Sequence, residues 1–264
     1  LAALAANKKV SVKEKHQTRD HTEKMINYFG GDIKSEVTEY GNIISFNPSK
    51  LNPKKSYNVV GDFSSAAFLI VAGLIAKESN IVIKNVGLNP SRSGLIHVLK
   101  SMGGKISIKN ESIICNEEVG DIHVNSSHLK GVSVEGKIIP NIIDEIPILS
   151  IAAAFAEGET TISDASELRV KESDRLSAIS DGLNRININH ELFEDGIKII
   201  GSKEDIIGTP VINSFGDHRI AMSFLIASLR SKEGIHVKDC KNIFTSFPDF
   251  LGIMKSLGVN INET

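Results

Sequence analysis

Apolar and polar positions follow one layout that recurs four times along the chain. In each copy an apolar helical run leads through a polar turn into a short β-branched stretch. A second, amphipathic helix then ends at a turn before another strand, and these ends match best: MINYFGGDI, VLKSMGGKI, ISDGLNRINI and IMKSLGVNI. Their equivalent isoleucines (Ile33, Ile106, Ile188 and Ile261) lie 73, 82 and 73 residues apart. Repetition at a nearly constant period indicates one structural unit used four times.

The two helices of each copy differ in how their apolar residues are distributed. The first helix is apolar around most of its circumference, as in ILSIAAAFAEG, and we expect it to be buried on nearly all sides. The second has one apolar face, with Leu176, Ile179, Leu183 and Ile186 at helical spacing, and we expect that face to cover a sheet. The pattern predicts an α/β fold built from repeated βαβαββ-like units.

A polar stretch with two prolines, NPSKLNPKKSYN at 47–58, is the best boundary along the chain. It predicts an incomplete unit at 1–57, the last of an N-terminal domain, followed by a second domain of three units at 58–264. The chain also begins at Leu1 inside an apolar helical pattern, with no capping residue before it. We therefore expect that it lacks an N-terminal portion.

Composition narrows the class of protein. The 264 residues are 41% hydrophobic and 23% charged with a formal net charge of -2, which is typical of a globular protein. This charge gives no support for a nucleic-acid or membrane-surface partner, which would normally need a basic patch. The longest apolar stretch, AAFLIVAGLIA at 66–76, is too short to span a bilayer and is predicted to be a buried helix. Cys115 and Cys240 have no metal-ligand spacing, so we expect no metal and a reducing, cytoplasmic setting.

Every dense cluster of charge falls where a helix is predicted to begin. The clusters are TRDHTEKM, with Asp20 and Glu23 spaced as a capping box, IDEIPIL, KESDRLSAI and GDHRIAMSFL. Helix N-termini attract anions, and arginines beside them bind phosphate or carboxylate through paired hydrogen bonds. Arg19, Arg175 and Arg219 occupy such positions, which indicates a multiply anionic ligand.

Two acids, Asp144 and Glu172, lie among these cations and allow two interpretations. Asp144 suits a helix cap and Glu172 an ordinary first-turn acid. Both also suit an anion-binding cleft in which a carboxylate stays ionised or exchanges a proton. The pattern alone leaves both interpretations open.

These motifs resemble a known family. IDEIPILSIAAAFAEG, ELRVKESDRL, GDHRIAMSF and TSFPDF, together with TRDHTEKM and GDFSSAAF, closely resemble the signatures of the 5-enolpyruvylshikimate-3-phosphate (EPSP) synthase family over essentially the whole chain. The resemblance implies the enolpyruvate transferase fold, an inside-out α/β barrel of two domains with three βαβαββ units each. It also implies a transferase of the shikimate pathway that acts in the cytoplasm as a monomer when full length. Its substrates would be phosphoenolpyruvate and shikimate 3-phosphate, with no metal or organic cofactor and no nucleic-acid or membrane partner.

The resemblance also implies roles for individual residues. Asp144 matches the aspartate that contacts the shikimate hydroxyls and is proposed as the base, and Glu172 the glutamate that gives and takes a proton. Lys171 and Arg19 match residues beside shikimate 3-phosphate. Arg175 and Arg219 match the two arginines that hold phosphoenolpyruvate.

The chain departs from the family pattern in two respects. Thr245 stands where many members carry a lysine that contacts phosphoenolpyruvate. The lysine, arginine and Ser-Ala-Gln-type segment that the N-terminal half of the family supplies have no match here, so we expect no appreciable turnover from this chain alone. Two alternatives remain: an enzyme like the UDP-N-acetylglucosamine enolpyruvyl transferase, and a non-catalytic module that binds a phosphorylated ligand.

Overall fold

The computed structural model describes residues 1–15, 18–39, 41–52 and 56–263, and these contain the four repeated units. The first unit comprises α1 (Ala2–Ala6), β1 (Val10–Glu14), α2 (His21–Tyr28), β2 (Asp32–Thr38) and β3 (Gly41–Asn47). The second comprises α3 (Phe63–Ile75), β4 (Asn80–Gly87), α4 (Gly94–Ser101), β5 (Lys105–Ile114) and β6 (Glu117–Asn125).

The third and fourth units each begin with a strand that precedes the buried helix. The third comprises β7 (Ser133–Val134), α5 (Ile139–Ile142), α6 (Ile146–Ala154), β8 (Gly158–Ile162), α7 (Arg175–Arg185), β9 (His190–Leu192) and β10 (Ile197–Gly201). The fourth comprises β11 (Val211–Asn213), α8 (His218–Ala227), β12 (His236–Lys238), α9 (Ile243–Ser246) and α10 (Phe250–Ser256). Short 3-10 turns lie at Gly136–Ile138, Ile143–Glu145, Ser166–Val170 and Ser228–Arg230.

The sheets show that the first three units are equivalent. Their strand orders are β1-β3-β2, β4-β6-β5, β7-β8-β10-β9 and β11-β12, so the last strand of each of the first three units lies between two earlier ones. β7 and β8 are parallel with α6 between them in sequence, and β11 and β12 are parallel with α8 between them. The third unit has the complete βαβαββ order that the sequence predicts.

One strand prediction is wrong. The fourth unit was expected to end in a strand around Ile261, but within the described range 257–263 no strand is formed. A strand requires a neighbour that bonds its N–H and C=O groups, and β12 pairs with β11 alone among the described strands. Gly258, with φ of +88°, turns the chain after α10.

The buried helices form the centre of the molecule. α3, α6 and α8 pack against one another, and all nine residues of α6 are buried. This confirms the prediction for the first helices of these three units, whereas α1 of the first unit has no buried residue, so the prediction is wrong there. Leu176, Ile179, Leu183 and Ile186 of α7 are buried as predicted, with the helix packed against β9 and β11.

α7 and α8 approach each other closely at Gly182. A Cβ atom built at Gly182 would lie 2.0 Å from the ring of the buried Phe224, so only glycine allows this separation of the helices. The two helices that this contact joins both begin in charged clusters, KESDRLSAI and GDHRIAMSFL.

The capping box predicted at α2 is not formed. Asp20 is the residue before the helix, but its side chain makes no capping bond to the described part of α2. Its carboxylate instead accepts a hydrogen bond from Asn89 Nδ2 of the second unit at 2.6 Å. A tertiary contact has replaced the local one.

Two separate clusters of buried apolar residues divide the chain. Ile26, Ile33 and Phe46 form a small cluster in the first unit, and the larger cluster extends from Phe63 to Met254. We keep the division at 57/58 as a proposal, which these clusters support; Pro53–Lys55 of the polar boundary stretch lie outside the described residues. No helix among the described residues combines the length and apolar character that crossing a membrane requires.

Candidate active site

The beginnings of four helices meet at one place. Ser64 in the first turn of α3 donates a hydrogen bond to Glu145, just before α6, at 2.5 Å. Arg175 and Arg219, in the first turns of α7 and α8, contact the same region from the third and fourth units. All four charged clusters precede or open helices as the sequence predicts.

Asp144 lies at the centre of this region and contacts four cations. Its carboxylate pairs with Arg19 of the first unit, and its other partners lie at 3.4 Å (Arg175 Nη1), 3.8 Å (Arg219 Nη2) and 3.9 Å (Lys171 Nζ). It makes no capping bond to the described residues of α6, whose N-cap position belongs to Glu145. The helix-cap interpretation of Asp144 is therefore wrong, because the 3-10 turn directs its side chain toward the cations.

The surrounding charges determine the ionisation of Asp144. Burial is the largest single effect on this carboxyl and raises its pKa. Arg219, Arg19 and Lys171 lower the pKa and together outweigh burial, so that it falls from 3.8 to about 2. Asp144 is thus a carboxylate at neutral pH. Its oxygens can act only as hydrogen-bond acceptors, and their partners are cations.

Arg175 forms a buried ion pair with Asp217, a residue that sequence reasoning missed. Its Nε lies 2.8 Å from Asp217 Oδ2, and the side chains are 1% and 0% exposed. Asp217 also caps α8 by accepting from the backbone N–H of Arg219 at 2.8 Å. The signal that could have found it is an acid directly before a predicted helix, which suits a cap, but nothing in the sequence points to a partner 42 residues away.

Glu172 covers the remaining side of the same guanidinium. Its Oε2 accepts from Arg175 Nη2 at 2.5 Å, and 52% of its side chain is exposed. The buried Arg175 therefore binds Asp217, Asp144 and Glu172 at once. Of these three, Glu172 is the one with free access to solvent.

The rest of ELRVKESDRL shapes the segment. Asp174 caps α7 by accepting from Ser177 N at 3.1 Å. Arg169 donates to the main-chain oxygens of Phe193 and Glu194, each at 2.6 Å, and so joins the segment to the turn after β9. Lys171 pairs with Glu167 at 2.6 Å and also faces Asp144.

A buried network beneath the site was also missed. Glu145 accepts from Ser64, Ser64 accepts from Arg92 Nη2 at 2.5 Å, and Arg219 Nη1 donates to the main-chain oxygen of Asp144 at 2.8 Å. Burial raises the pKa of Glu145. Arg219, 3.4 Å away, lowers this pKa but offsets the effect of burial only in part. Glu145 and Arg219 stand in separate charged motifs and Ser64 and Arg92 stand outside those charged clusters, with no pattern in the sequence that joins the four.

Thr245, at the position where the family pattern has a lysine, is exposed on α9. Within the described ranges, no group of three or more His, Cys, Asp or Glu side chains is arranged to hold a metal ion.

Comparison with known proteins identifies the family. The sequence model of the family described as EPSP synthase (3-phosphoshikimate 1-carboxyvinyltransferase) matches residues 1–254. The chain belongs to the EPSP synthase family. The resemblance drawn from ELRVKESDRL and the other motifs is thereby confirmed.

Individual members of the EPSP synthase family match nearly the whole chain. The curated 3-phosphoshikimate 1-carboxyvinyltransferase of Petrotoga mobilis is 47% identical over 257 residues, which are 97% of this chain and 59% of that protein. The Legionella pneumophila (strain Lens) protein of the same name is 41% identical over 263 residues, again 59% of its length. The chain thus spans about three fifths of the length of these relatives.

Solved structures agree with the predicted fold class. EPSP synthase from Acinetobacter baumannii superposes with a TM-score of 0.87 at 41% identity, over 94% of this chain and 56% of that one. The enolpyruvyl transferase NikO from Streptomyces tendae matches with a TM-score of 0.76 at 18% identity, over 97% of this chain and 57% of that one, which shows a shared fold alone. The enolpyruvate transferase fold is confirmed.

Proposed function

We propose that the protein carrying this chain transfers the enolpyruvyl group of phosphoenolpyruvate to the 5-hydroxyl of shikimate 3-phosphate and releases phosphate. Family membership and the names of the curated relatives support the reaction. The observation that carries it to this chain is the position of Asp144 among Arg19, Lys171, Arg175 and Arg219. Four cations around one carboxylate suit two substrates that carry two phosphates and two carboxylates between them.

Asp144 is proposed to accept the hydrogen of the attacking hydroxyl. With a pKa of about 2 it is a weak base in the ligand-free protein. Its partners Arg219 and Arg19 are the residues proposed to bind the substrate anions. When those anions engage the guanidiniums, part of the effect that lowers the pKa of Asp144 is removed, and the carboxylate becomes more basic once both substrates are bound.

Arg175 and Arg219 are proposed to hold phosphoenolpyruvate, and Arg19 and Lys171 shikimate 3-phosphate. Binding of phosphoenolpyruvate by Arg175 requires one of its carboxylate partners to leave, because three carboxylates surround its guanidinium. The half-exposed Glu172 is the partner free to move. A substrate carboxylate that takes its place on Arg175 Nη2 frees Glu172 to face the methylene carbon.

The proposed reaction has two stages, addition and elimination. A proton from Glu172 adds to the methylene carbon of phosphoenolpyruvate, the 5-hydroxyl oxygen bonds to the adjacent carbon, and Asp144 takes the hydroxyl proton. The tetrahedral intermediate then loses phosphate, which leaves with the proton that Asp144 had taken, and Glu172 recovers a proton from the methyl group.

The relatives' additional length is proposed to supply the other face of the cleft. We infer a complete protein of two domains, with residues 1–57 belonging to the first, that acts as a monomer in the cytoplasm. Light scattering of the complete protein tests the monomer.

The reaction is tested with a joined protein, in which the N-terminal part of the Petrotoga mobilis relative precedes residue 1. We expect phosphate release that requires both substrates, loss of most activity in Asp144→Ala with the fold retained, and no turnover from the 264-residue chain alone. A folded joined protein that binds neither substrate would contradict the proposal. Turnover with UDP-N-acetylglucosamine as acceptor would favour the related transferase, and binding without turnover the non-catalytic module.

A further inference from the structure

A group of polar side chains joins the start of α2 to the second unit. We call it the α2 latch: Asp20, His21 and Lys24 on one side, Asn89 and Glu117 on the other. His21 Nδ1 donates to Glu117 Oε1 at 2.7 Å, and Asn89 Nδ2 donates to Asp20 Oδ1 at 2.6 Å. Lys24 Nζ lies 3.6 Å from Glu117 Oε2.

The second-unit side of the latch is buried. Asn89 and Glu117 are both largely removed from solvent, so each needs hydrogen-bond partners within the protein. Asn89 uses both ends of its amide, because its Oδ1 accepts from Ser91 N at 2.9 Å. Displacing α2 would leave the Asn89 donor and the Glu117 carboxylate with each other, at 3.3 Å, but without their partners on α2, which opposes any slippage of the contact.

The latch lies next to a proposed substrate-binding residue. Arg19 immediately precedes Asp20, and its side chain, 46% exposed, reaches from the first unit to Asp144 in the third. An exposed arginine loses rotamer freedom when it is held in one direction, so its orientation depends on how firmly the adjacent main chain is fixed. Asp20 fixes that main chain by bonding Asn89 instead of capping α2.

We propose that the α2 latch positions Arg19: it fixes the start of α2 against the second unit and so holds the Arg19 guanidinium at Asp144, ready for shikimate 3-phosphate. This rests on the proposed function for the identity of the ligand. Glu117 and Asn89 are positioning residues that act through Arg19.

The first test is binding of shikimate 3-phosphate to the joined protein by calorimetry. Glu117→Ala is expected to weaken the binding of shikimate 3-phosphate about tenfold. Asp20→Ala, at a more exposed position, is expected to weaken it by a similar factor. Glu117→Gln keeps an acceptor for His21 and is expected to recover part of the loss. Glu118→Ala, the neighbouring exposed acid, is the matched control and is expected to bind normally.

The test for action through Arg19 is a double-mutant cycle. In an Arg19→Ala background, Glu117→Ala is expected to cause no further loss of shikimate 3-phosphate affinity, and phosphoenolpyruvate affinity is expected to stay unchanged throughout. Equal losses with and without Arg19, or normal binding by Glu117→Ala, would overturn the proposal.

A second measurement does not depend on the substrate. Arg19 contributes to the low pKa of Asp144, beside Arg219 and Lys171. Titration of the Asp144 carboxyl by carbon NMR is expected to show a rise of about one pH unit in both Arg19→Ala and Glu117→Ala, with no further rise in the double variant. If the wild-type protein binds no shikimate 3-phosphate, the proposed function fails, and this titration still decides the latch: an unchanged pKa in Glu117→Ala overturns it.

Discussion

Arg175 and Asp217 form an ion pair that is closed to solvent on both sides, with 2.8 Å between Nε and Oδ2. The pair joins the first turn of α7 to the N-cap of α8 and places Arg175 beside Asp144 and Glu172. A buried charge is tolerated only with a partner, so the structural and the chemical role of Arg175 depend on the same acid.

Removing one member of this pair is expected to destabilise the chain severely. Asp217→Ala leaves the Arg175 guanidinium buried and removes the cap of α8, so we expect a loss of about 3–5 kcal/mol in the free energy of unfolding. Urea denaturation of the 264-residue chain measures it. Asp181→Ala, which removes the exposed Arg185–Asp181 pair on the same helix, is the control and should cost less than about 0.5 kcal/mol. Equal effects of the two variants would contradict the role of the buried pair.

The close approach of α7 and α8 gives a second prediction. In Gly182→Ala the new methyl group meets the buried Phe224 ring, and we expect a loss of about 1–3 kcal/mol from overpacking. Phe224→Leu in the same chain should recover part of that loss. Gly252→Ala on α10 meets open space and is expected to be neutral or stabilising by up to about 1 kcal/mol in the same urea assay. If Gly182→Ala behaves like Gly252→Ala, the helices do not depend on this contact.

Two adjacent acids are expected to have opposite pH dependences. The pKa of Asp144 falls from 3.8 to about 2 on folding, so the stability it contributes is fully present above pH 3.8 and is lost as the pH falls toward 2. Burial raises the pKa of Glu145 above its ordinary value of 4.5. The stability that Glu145 contributes is therefore present below pH 4.5 and is lost as the pH rises through the folded pKa. Urea denaturation between pH 2.5 and 7 should therefore show the gap between wild type and Asp144→Asn narrowing at low pH. Over the same fall in pH, the stability of wild type relative to Glu145→Gln should instead increase. A parallel pH dependence of the two stability differences would contradict these assignments.

Arg219 is expected to separate the two substrates kinetically. Loss of a charge-assisted guanidinium contact should raise the KM for phosphoenolpyruvate in the joined protein by about 10- to 100-fold, with a much smaller effect on shikimate 3-phosphate. Steady-state kinetics of Arg219→Ala measures both constants. Arg185→Ala, an exposed arginine at the end of α7, is the matched control. A similar rise in both KM values would contradict the assignment of Arg219 to phosphoenolpyruvate.

The fold could be predicted from the sequence where a helix carries its own pattern of apolar residues. The buried helices α3, α6 and α8 are apolar nearly all round, and that pattern survives in the sequence because burial demands it. The strand expected around Ile261 failed because strand formation depends on a neighbour and not on the residues alone. A local sequence pattern therefore predicts the buried helices, but it does not predict a strand that depends on a neighbouring strand.

The candidate site was predictable where charge is concentrated at helix starts. Asp144 and its cations stood in dense motifs, which made them visible before their contacts were known. Ser64, Glu145 and Arg92 stood apart in sequence and are joined through a hydrogen-bond chain that spans three units, counting Arg219 at its end. Such pairings depend on tertiary structure, and no spacing rule along the chain encodes them.

Glu172 is expected to separate catalysis from binding. In Glu172→Gln the side chain can no longer supply or take a proton, so kcat of the joined protein should fall by about 100- to 10,000-fold. Because the Glu172 carboxylate occupies Arg175 Nη2 in the ligand-free protein, the neutral amide should compete less with phosphoenolpyruvate, and the Kd of that substrate should fall or stay unchanged. Stability should be little affected, since half of the side chain is exposed.

The matched control is Glu167→Gln, an exposed acid of the same segment that pairs with Lys171 at 2.6 Å. It should leave kcat within a fewfold of wild type, because Glu167 faces neither Arg175 nor Asp144 among the described contacts. Rapid-quench measurement of phosphate release, with calorimetry for phosphoenolpyruvate, gives both quantities for each variant. Near-normal turnover in Glu172→Gln would remove Glu172 from the proton-transfer role. A fall in phosphoenolpyruvate affinity equal to the fall in kcat would show that this carboxylate binds the substrate and does not compete with it for Arg175.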